Sequence, residues 1–236
     1  MEYERIYFLC SDVEALKKKA EVFKCRKEYG KAAFTLRRIP PYSLSQGEKD
    51  TLAYQVLLYY YLEDNFSEAE KYIKTLDLNV SENPSSQLLL IEILLLNELK
   101  EYTSAYEKLI AYEEKTGNFS AESKKCLDSL YSHIPKLKSE TKAKNLSLFP
   151  GLGQIYAGYY TEGIFAFGLN AAILSFGVYE LWHKDFVTAW IGGAGILSAT
   201  YLGQQKQAVY LAQKRNYKRL SEFNKKIKTV ILSEFE

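Results

Sequence analysis

The sequence predicts an all-α protein: a helical repeat array, then a transmembrane helical hairpin, then a basic C-terminal helix. Three observations predict it. The pattern aromatic-x-x-Ala-x-x-x-aliphatic recurs three times in the first half, its alanines 37 and 36 residues apart. Two almost uncharged apolar stretches, Gly163–Trp182 and Phe186–Gly203, of 20 and 18 residues, are joined only by His183-Lys184-Asp185. After them, eight basic side chains stand against the single Glu222 between Tyr201 and Lys228, with Val209, Ala212, Leu220, Phe223 and Ile227 between the charges at helical spacing. The expected organisation is a repeat array over residues 1–135, a basic linker over 136–146, a Pro-Gly segment with the hairpin over 147–203, and the basic helix over 204–236.

In the first half, Tyr29-Gly-Lys-Ala32-Ala-Phe-Thr-Leu36 aligns without gaps with Phe66-Ser-Glu-Ala69-Glu-Lys-Tyr-Ile73 and Tyr102-Thr-Ser-Ala105-Tyr-Glu-Lys-Leu109. Each copy follows an earlier helical stretch carrying Phe23, Tyr60 or Leu96, and seven residues before those, Leu16, Ala53 or Leu89. A fixed period of this size marks stacked two-helix units. Over residues 12–117 the chain resembles the tetratricopeptide repeat family, in which two antiparallel helices meet at a small residue. Ala32, Ala69 and Ala105 match that small residue, and Tyr29, Phe66 and Tyr102 match the aromatic before it. The glycine usual near the turn between the two helices is Lys27, Asp64 and Lys100 here, a departure from the family pattern. Pro40-Pro41 and Pro84 fall between copies, where a helix cannot continue; Asp50 and Ser85 or Ser86 are expected to cap the helices that follow. Tyr3 lies 33 residues before Leu36, so Glu2–Leu9 reads as the second helix of a repeat whose first helix is missing. Ala121–His133 reads as a closing helix with Cys126, Leu127, Leu130 and Ile134 on one side.

The resemblance implies a concave groove lined by the first helix of each pair. Carried over position by position, it is lined by Glu14, Lys17, Glu21 and Lys24, then Thr51, Tyr54, Leu58 and Tyr61, then Gln87, Leu90, Leu94 and Asn97. The apolar and aromatic members, Tyr54, Leu58, Tyr61, Leu90 and Leu94, with Asn97, suit a protein or peptide partner with hydrophobic anchors. The alternative is that the protein's own flanking helices fill this groove.

Next comes Phe149-Pro150-Gly151-Leu-Gly153-Gln154-Ile-Tyr156-Ala-Gly158-Tyr159-Tyr160. Pro150-Gly151 stops an incoming helix, and Leu152–Tyr160 is expected to form a short interfacial or re-entrant helix. The pattern carried by Pro150, Gly151, Gly153, Gln154, Tyr156 and Gly158, followed by two short apolar helices, is similar to a class of small bacterial two-span membrane domains. That likeness, over residues 146–217, implies an integral membrane protein of the bacterial envelope. Roughly 20 apolar helical residues cross a hydrocarbon core about 30 Å thick. Small residues repeat on faces of the spans, at Gly168 and Ala172 and at Gly195, Ala199 and Gly203, which favours close helix contact or oligomerisation through the hairpin. Asn170 is the strongly polar side chain near the middle of the first span.

Charge bounds the function. Residues 1–135 carry 18 basic and 22 acidic side chains, a net of −4. The basic side chains instead flank the hairpin, at Lys136, Lys138, Lys142 and Lys144 and at Lys206, Lys214, Arg215, Lys218 and Arg219, as beside anionic lipid. By the positive-inside rule the array and tail face the cytoplasm. Nucleic acid is not expected as a partner. Met1–Arg5 is charged and does not read as a secretory signal. The three cysteines have no metal-ligand spacing, and His133 and His183 belong to no nucleophile, zinc or phosphate-loop motif, so neither catalysis nor a cofactor is expected. The reading is a membrane-anchored adaptor for a protein partner; the alternative is a structural or channel-like subunit whose hairpins oligomerise.

Overall fold

A computed structural model of the chain describes residues 2–10, 12–77 and 84–234. Among these the protein is all-helical, with no strand. It divides into two compact units, residues 1–133 with 227–236, and residues 134–226.

The first unit contains α1 (Glu2–Cys10), α2 (Val13–Cys25), α3 (Tyr29–Leu36), α4 (Gln46–Leu62), α5 (Phe66–Asp77), α6 (Ser86–Glu98), α7 (Tyr102–Thr116) and α8 (Ala121–Ser132). Each helix packs on its successor, and α4 also packs on α6. The residues of the threefold pattern lie in the core: Ala32, Ala69 and Ala105 are fully buried, and Leu36, Ile73 and Leu109 nearly so. A methyl group there lets two backbones approach where a larger side chain would hold them apart.

The turns joining α2 to α3, α4 to α5 and α6 to α7 are the same turn. Lys27, Asp64 and Lys100 have φ of 60°, 55° and 67°. The N–H of the following residue reaches back five positions, from Glu28 to the Phe23 carbonyl, Asn65 to Tyr60 and Glu101 to Leu96, at 2.9, 3.0 and 2.9 Å. This is the Schellman closure, which satisfies the last helical carbonyls through one left-handed residue. The positions where the family's glycine was missing are therefore left-handed all the same, at a cost of about 1–2 kcal/mol each.

Helix starts differ from expectation at one point. The cap of α4 is Ser45, not Asp50: Ser45 and Glu48 form a reciprocal capping box that starts the helix earlier. Asp50 instead accepts the N–H of Ser85 at 3.0 Å. Ser85 caps α6, its hydroxyl accepting from the Leu88 N–H. Cys126 is exposed on α8 rather than packed beside the buried Leu127.

The second unit contains α9 (Glu140–Leu146), α10 (Leu152–Ala157), α11 (Tyr160–Trp182) and most of α12 (Phe186–Leu232), which includes a π-helical stretch at Ala189–Gly195. Part of the basic linker is thus helical. The rest is held to α12 by Asn216, whose side chain accepts from the Lys138 N–H at 2.7 Å and donates to its carbonyl at 2.8 Å. Arg219 donates to the Lys136 carbonyl at 3.0 Å. Both α11 and α12 contain stretches long and apolar enough to cross a membrane, and little of either stretch is buried.

Candidate functional site

Two groups of residues stand out, one in each unit. In the first unit Tyr54, Leu58 and Tyr61 lie on α4, and Leu90, Leu94 and Asn97 on α6. Tyr54, Leu58, Tyr61 and Leu94 are half-buried and pack against the cluster that includes Leu57, Leu88 and Leu95; Leu90 is half-buried as well. Two members already have partners inside this unit. Lys228 donates from Nζ to Tyr61 Oη at 2.9 Å, with its ammonium 4.9 Å from the ring centre. Such a cation over an aromatic face adds about 0.5–2 kcal/mol. Asn97 is 2% exposed. Its Nδ2 donates to the Ile93 carbonyl and to Tyr131 Oη, each at 2.8 Å. Asn97 thus joins α6 to α8 and does not face an open groove.

Burial pushes the Tyr131 phenol up to about 12, with the Asn97 hydrogen bond working the other way. Tyr102, also buried, is likewise raised to about 12, first by desolvation and then by nearby Glu98. Glu234 is held within the first unit too: it accepts from the Ser120 N–H at 3.3 Å and from its hydroxyl at 2.8 Å, and it also takes the Ser123 hydroxyl. These bonds, the Ser123 hydroxyl first, hold its carboxyl below the usual range.

The second group is the Pro-Gly segment, whose six expected residues are gathered around α10. Gly151 has φ 88°, and a Cβ there would run into the Gly163 carbonyl of α11. A Cβ on Gly153 would meet the Ser147 hydroxyl, the Ala143 carbonyl and, at 2.8 Å, the Ala208 Cβ of α12. Glycine at these two positions lets α10 approach α9, α11 and α12 at once. Gly158, at φ 89°, caps α10, with the Tyr159 N–H returning to the Gln154 carbonyl at 3.0 Å. Tyr156 Oη accepts the Ser139 N–H at 3.1 Å, and the Lys138 ammonium lies 4.6 Å from its ring centre. Pro150 borders a cavity of about 550 Å3 whose wall includes Asn170.

Gln154 is fully buried. Its Nε2 donates to the Gln204 carbonyl at 3.3 Å and lies 3.5 Å from Gln207 Oε1. Gln204 in turn donates to the Ala166 carbonyl at 3.4 Å, which also accepts from Asn170 Nδ2 at 2.7 Å. Three buried amides therefore converge from α10, α11 and α12. Sequence reasoning singled out Gln154 and Asn170 but passed over Gln204, which is the first polar side chain after the apolar stretch of α12. It also passed over Glu92, 2% exposed within the apolar run of α6, whose carboxylate pairs with Lys108 at 2.9 Å.

Among the described residues no group of three His, Cys, Asp or Glu side chains is placed to hold a metal ion. Comparison of the chain with protein-family models, with curated proteins and with solved structures finds no match.

Proposed function

We propose that this protein is a membrane-anchored adaptor of the bacterial envelope, in which a tetratricopeptide-like array holds a protein partner beside a bilayer crossed by α11 and α12 as a hairpin. The observation that carries the reading is the inversion of polarity along α11 and α12. Phe165, Phe167, Val187, Trp190 and Ile191 are each more than 60% exposed, while the amides of Gln154, Asn170 and Gln204 point inward. Hydrocarbon is the solvent in which that arrangement is favourable. Basic side chains on α12 beyond Gly203 then lie on the side of the linker, and the positive-inside rule puts both units' polar parts in the cytoplasm.

The adaptor role is supported by the half-buried apolar positions Tyr54, Leu58, Leu90 and Leu94, which suit anchors of an extended or helical peptide. A partner reaching as far as Tyr61 would displace Lys228. Gly177 and Gly193 approach each other closely within the chain, whereas a Cβ on Gly168 or Gly203 would meet nothing; those two faces favour oligomerisation through the hairpin as the second reading. A photoreactive phenylalanine at Tyr54 or Leu90 should capture a discrete adduct in native membranes. The same group at Phe34 or Tyr42, which are 65% and 90% exposed, should not. Equal adducts at all four positions, or none, would defeat the adaptor reading.

A further inference from the structure

Several of the basic side chains that flank the hairpin already have partners inside the second unit. The Lys138 ammonium lies 4.6 Å from the Tyr156 ring centre, Arg219 donates to the Lys136 carbonyl at 3.0 Å, and Lys218 pairs with Glu222 at 3.9 Å. Lys144 of α9 and Lys206 of α12 differ. Among the described residues neither ammonium has an ion pair or a hydrogen bond, yet both line one open groove of about 550 Å3. Distant in the sequence, they are brought together by the seat of α9 on α12. Ala143, next to Lys144, is fully buried and packs in a cluster with Leu211 and Ala212. At the same contact Gln213 Nε2 donates to Glu140 at 2.9 Å.

The groove is graded in polarity along α12. Leu202, at its hairpin end, is 60% exposed and belongs to the apolar stretch that closes at Gly203. Lys206, Val209 and Tyr210 follow, and Gln213 forms the far end. At 1.5 Å per residue this is a path of about 16 Å. With α12 crossing a bilayer, such a path begins in hydrocarbon and passes through the head-group layer. No acidic side chain lines it. Two like charges along one groove repel each other, and an anion between them turns that repulsion into attraction.

We propose that this groove binds an anionic membrane phospholipid, its phosphate taken by the Lys144 and Lys206 ammoniums and the start of an acyl chain lying along Leu202 and Val209. The apolar end favours a lipid over a soluble phosphate, which would leave Leu202 and Val209 uncovered. An anionic head is favoured over a zwitterionic one, which brings its own ammonium beside the two lysines. The inference rests on the membrane reading of α11 and α12, which carbonate extraction tests separately. A chain that stays in the carbonate pellet but fails the experiment below loses only the lipid site.

The test uses the full chain in nanodiscs of phosphatidylcholine. Trace phosphatidylglycerol with a diazirine near the head-group end of its acyl chain is photolysed in the discs, beside phosphatidylcholine with the same chain, and the labelled peptides are mapped. The expected result is saturable labelling by phosphatidylglycerol of the peptides that hold Lys144 and Leu202–Gln213, at least about tenfold above phosphatidylcholine, as two lysines beside an anionic head imply. Lys144→Gln with Lys206→Gln should remove that excess. Lys214→Gln with Lys218→Gln takes the same charge from α12 outside the groove and should leave most of it. Excess glycerophosphoglycerol, the head group without its chains, should not compete. Equal labelling by the two lipids, equal losses in the two double variants, or competition by the soluble head group would overturn the proposal: the first two mean diffuse attraction or none, the third a site for a soluble phosphate. If K144Q/K206Q does not fold, the place of the label on the native chain decides, and label spread evenly over the hairpin sinks the groove.

Discussion

The two units of this chain are packed by opposite rules. In the first, Leu16, Leu57, Ile93 and Leu95 are fully buried, and the helices present Lys, Glu and Asp outward. In the second, large apolar side chains such as Phe165, Trp190 and Ile191 point outward, while Gln154, Asn170 and Gln204 are buried. Both are built from helices closed by the same left-handed turn, at Lys27, Asp64 and Lys100 in one and at Lys184 in the other. Backbone geometry therefore does not separate them. What separates them is which face of each helix is apolar, and that is a statement about the solvent each meets. In water, burial of apolar area is the main driving force. In the proposed bilayer it contributes little between helices, and close backbone contact with internal hydrogen bonding takes its place.

The contrast can be broken most directly by paired truncations. Leu57→Ala should cost about 2–5 kcal/mol, as buried aliphatic truncations do, whereas Ile191→Ala, at a side chain facing outward, should cost under about 1 kcal/mol in thermal unfolding of the detergent-solubilised chain. Equal losses would mean that Ile191 packs against protein and would remove the case for a lipid-facing helix. A change of similar size is expected where the second unit relies on backbone contact. Gly151→Val combines a left-handed φ with a collision against the Gly163 carbonyl, and should destabilise by about 2–5 kcal/mol. Gly47→Ala in the first unit, with nothing near its Cβ position, should be neutral or mildly stabilising.

Alkaline pH should act on the first unit. Tyr102 and Tyr131 are raised from 10.0 to about 12 by burial. The unfolded chain thus loses these protons more readily, and their contribution to stability is complete below pH 10 and lost as pH rises toward 12. Helicity followed by circular dichroism should fall in that window, with a loss of up to about 5 kcal/mol from the two phenols together. Tyr131→Phe should make the pH dependence shallower; an unchanged slope would show that these phenols do not control it. The smallest effect is a gain. Lys100→Gly should stabilise by about 1 kcal/mol, because glycine adopts φ 67° without a Cβ penalty. The same gain is expected at Lys184→Gly, and a gain at one turn alone would show that the two turns are not equivalent.

Much of the local structure was legible. Ala32, Ala69 and Ala105 were readable as contact points because a period of 37 and 36 residues brought each one just after an aromatic. The start of the short helix expected over Leu152–Tyr160 was readable because Pro150-Gly151 stops the chain before it; its end was not, since Gly158 closes it after Ala157 and Tyr160 already begins α11. Asn97 was not readable as buried: its place at a groove position came from register alone, and only Tyr131, 34 residues later, shows where its amide goes. Gln204 was passed over for the same reason. Its position just past an apolar stretch resembles that of any interfacial glutamine, and its role depends on Ala166, 38 residues earlier.

By itself the sequence determined that the secondary structure of the described residues is all helix, where most of its helices break, and which stretches are apolar enough to cross a membrane. These depend on short-range facts: the periodicity of apolar side chains, the missing N–H of proline and the freedom of glycine. Only the tertiary structure decided that Asn97 is an internal joint, that Tyr61 is held by Lys228, and that the buried amides of Gln154, Asn170 and Gln204 donate to carbonyls of α11 and α12. The physical reason is that hydrogen bonding between distant residues is settled by packing. A side-chain amide looks the same in the sequence whether it meets a carbonyl, a phenol or nothing.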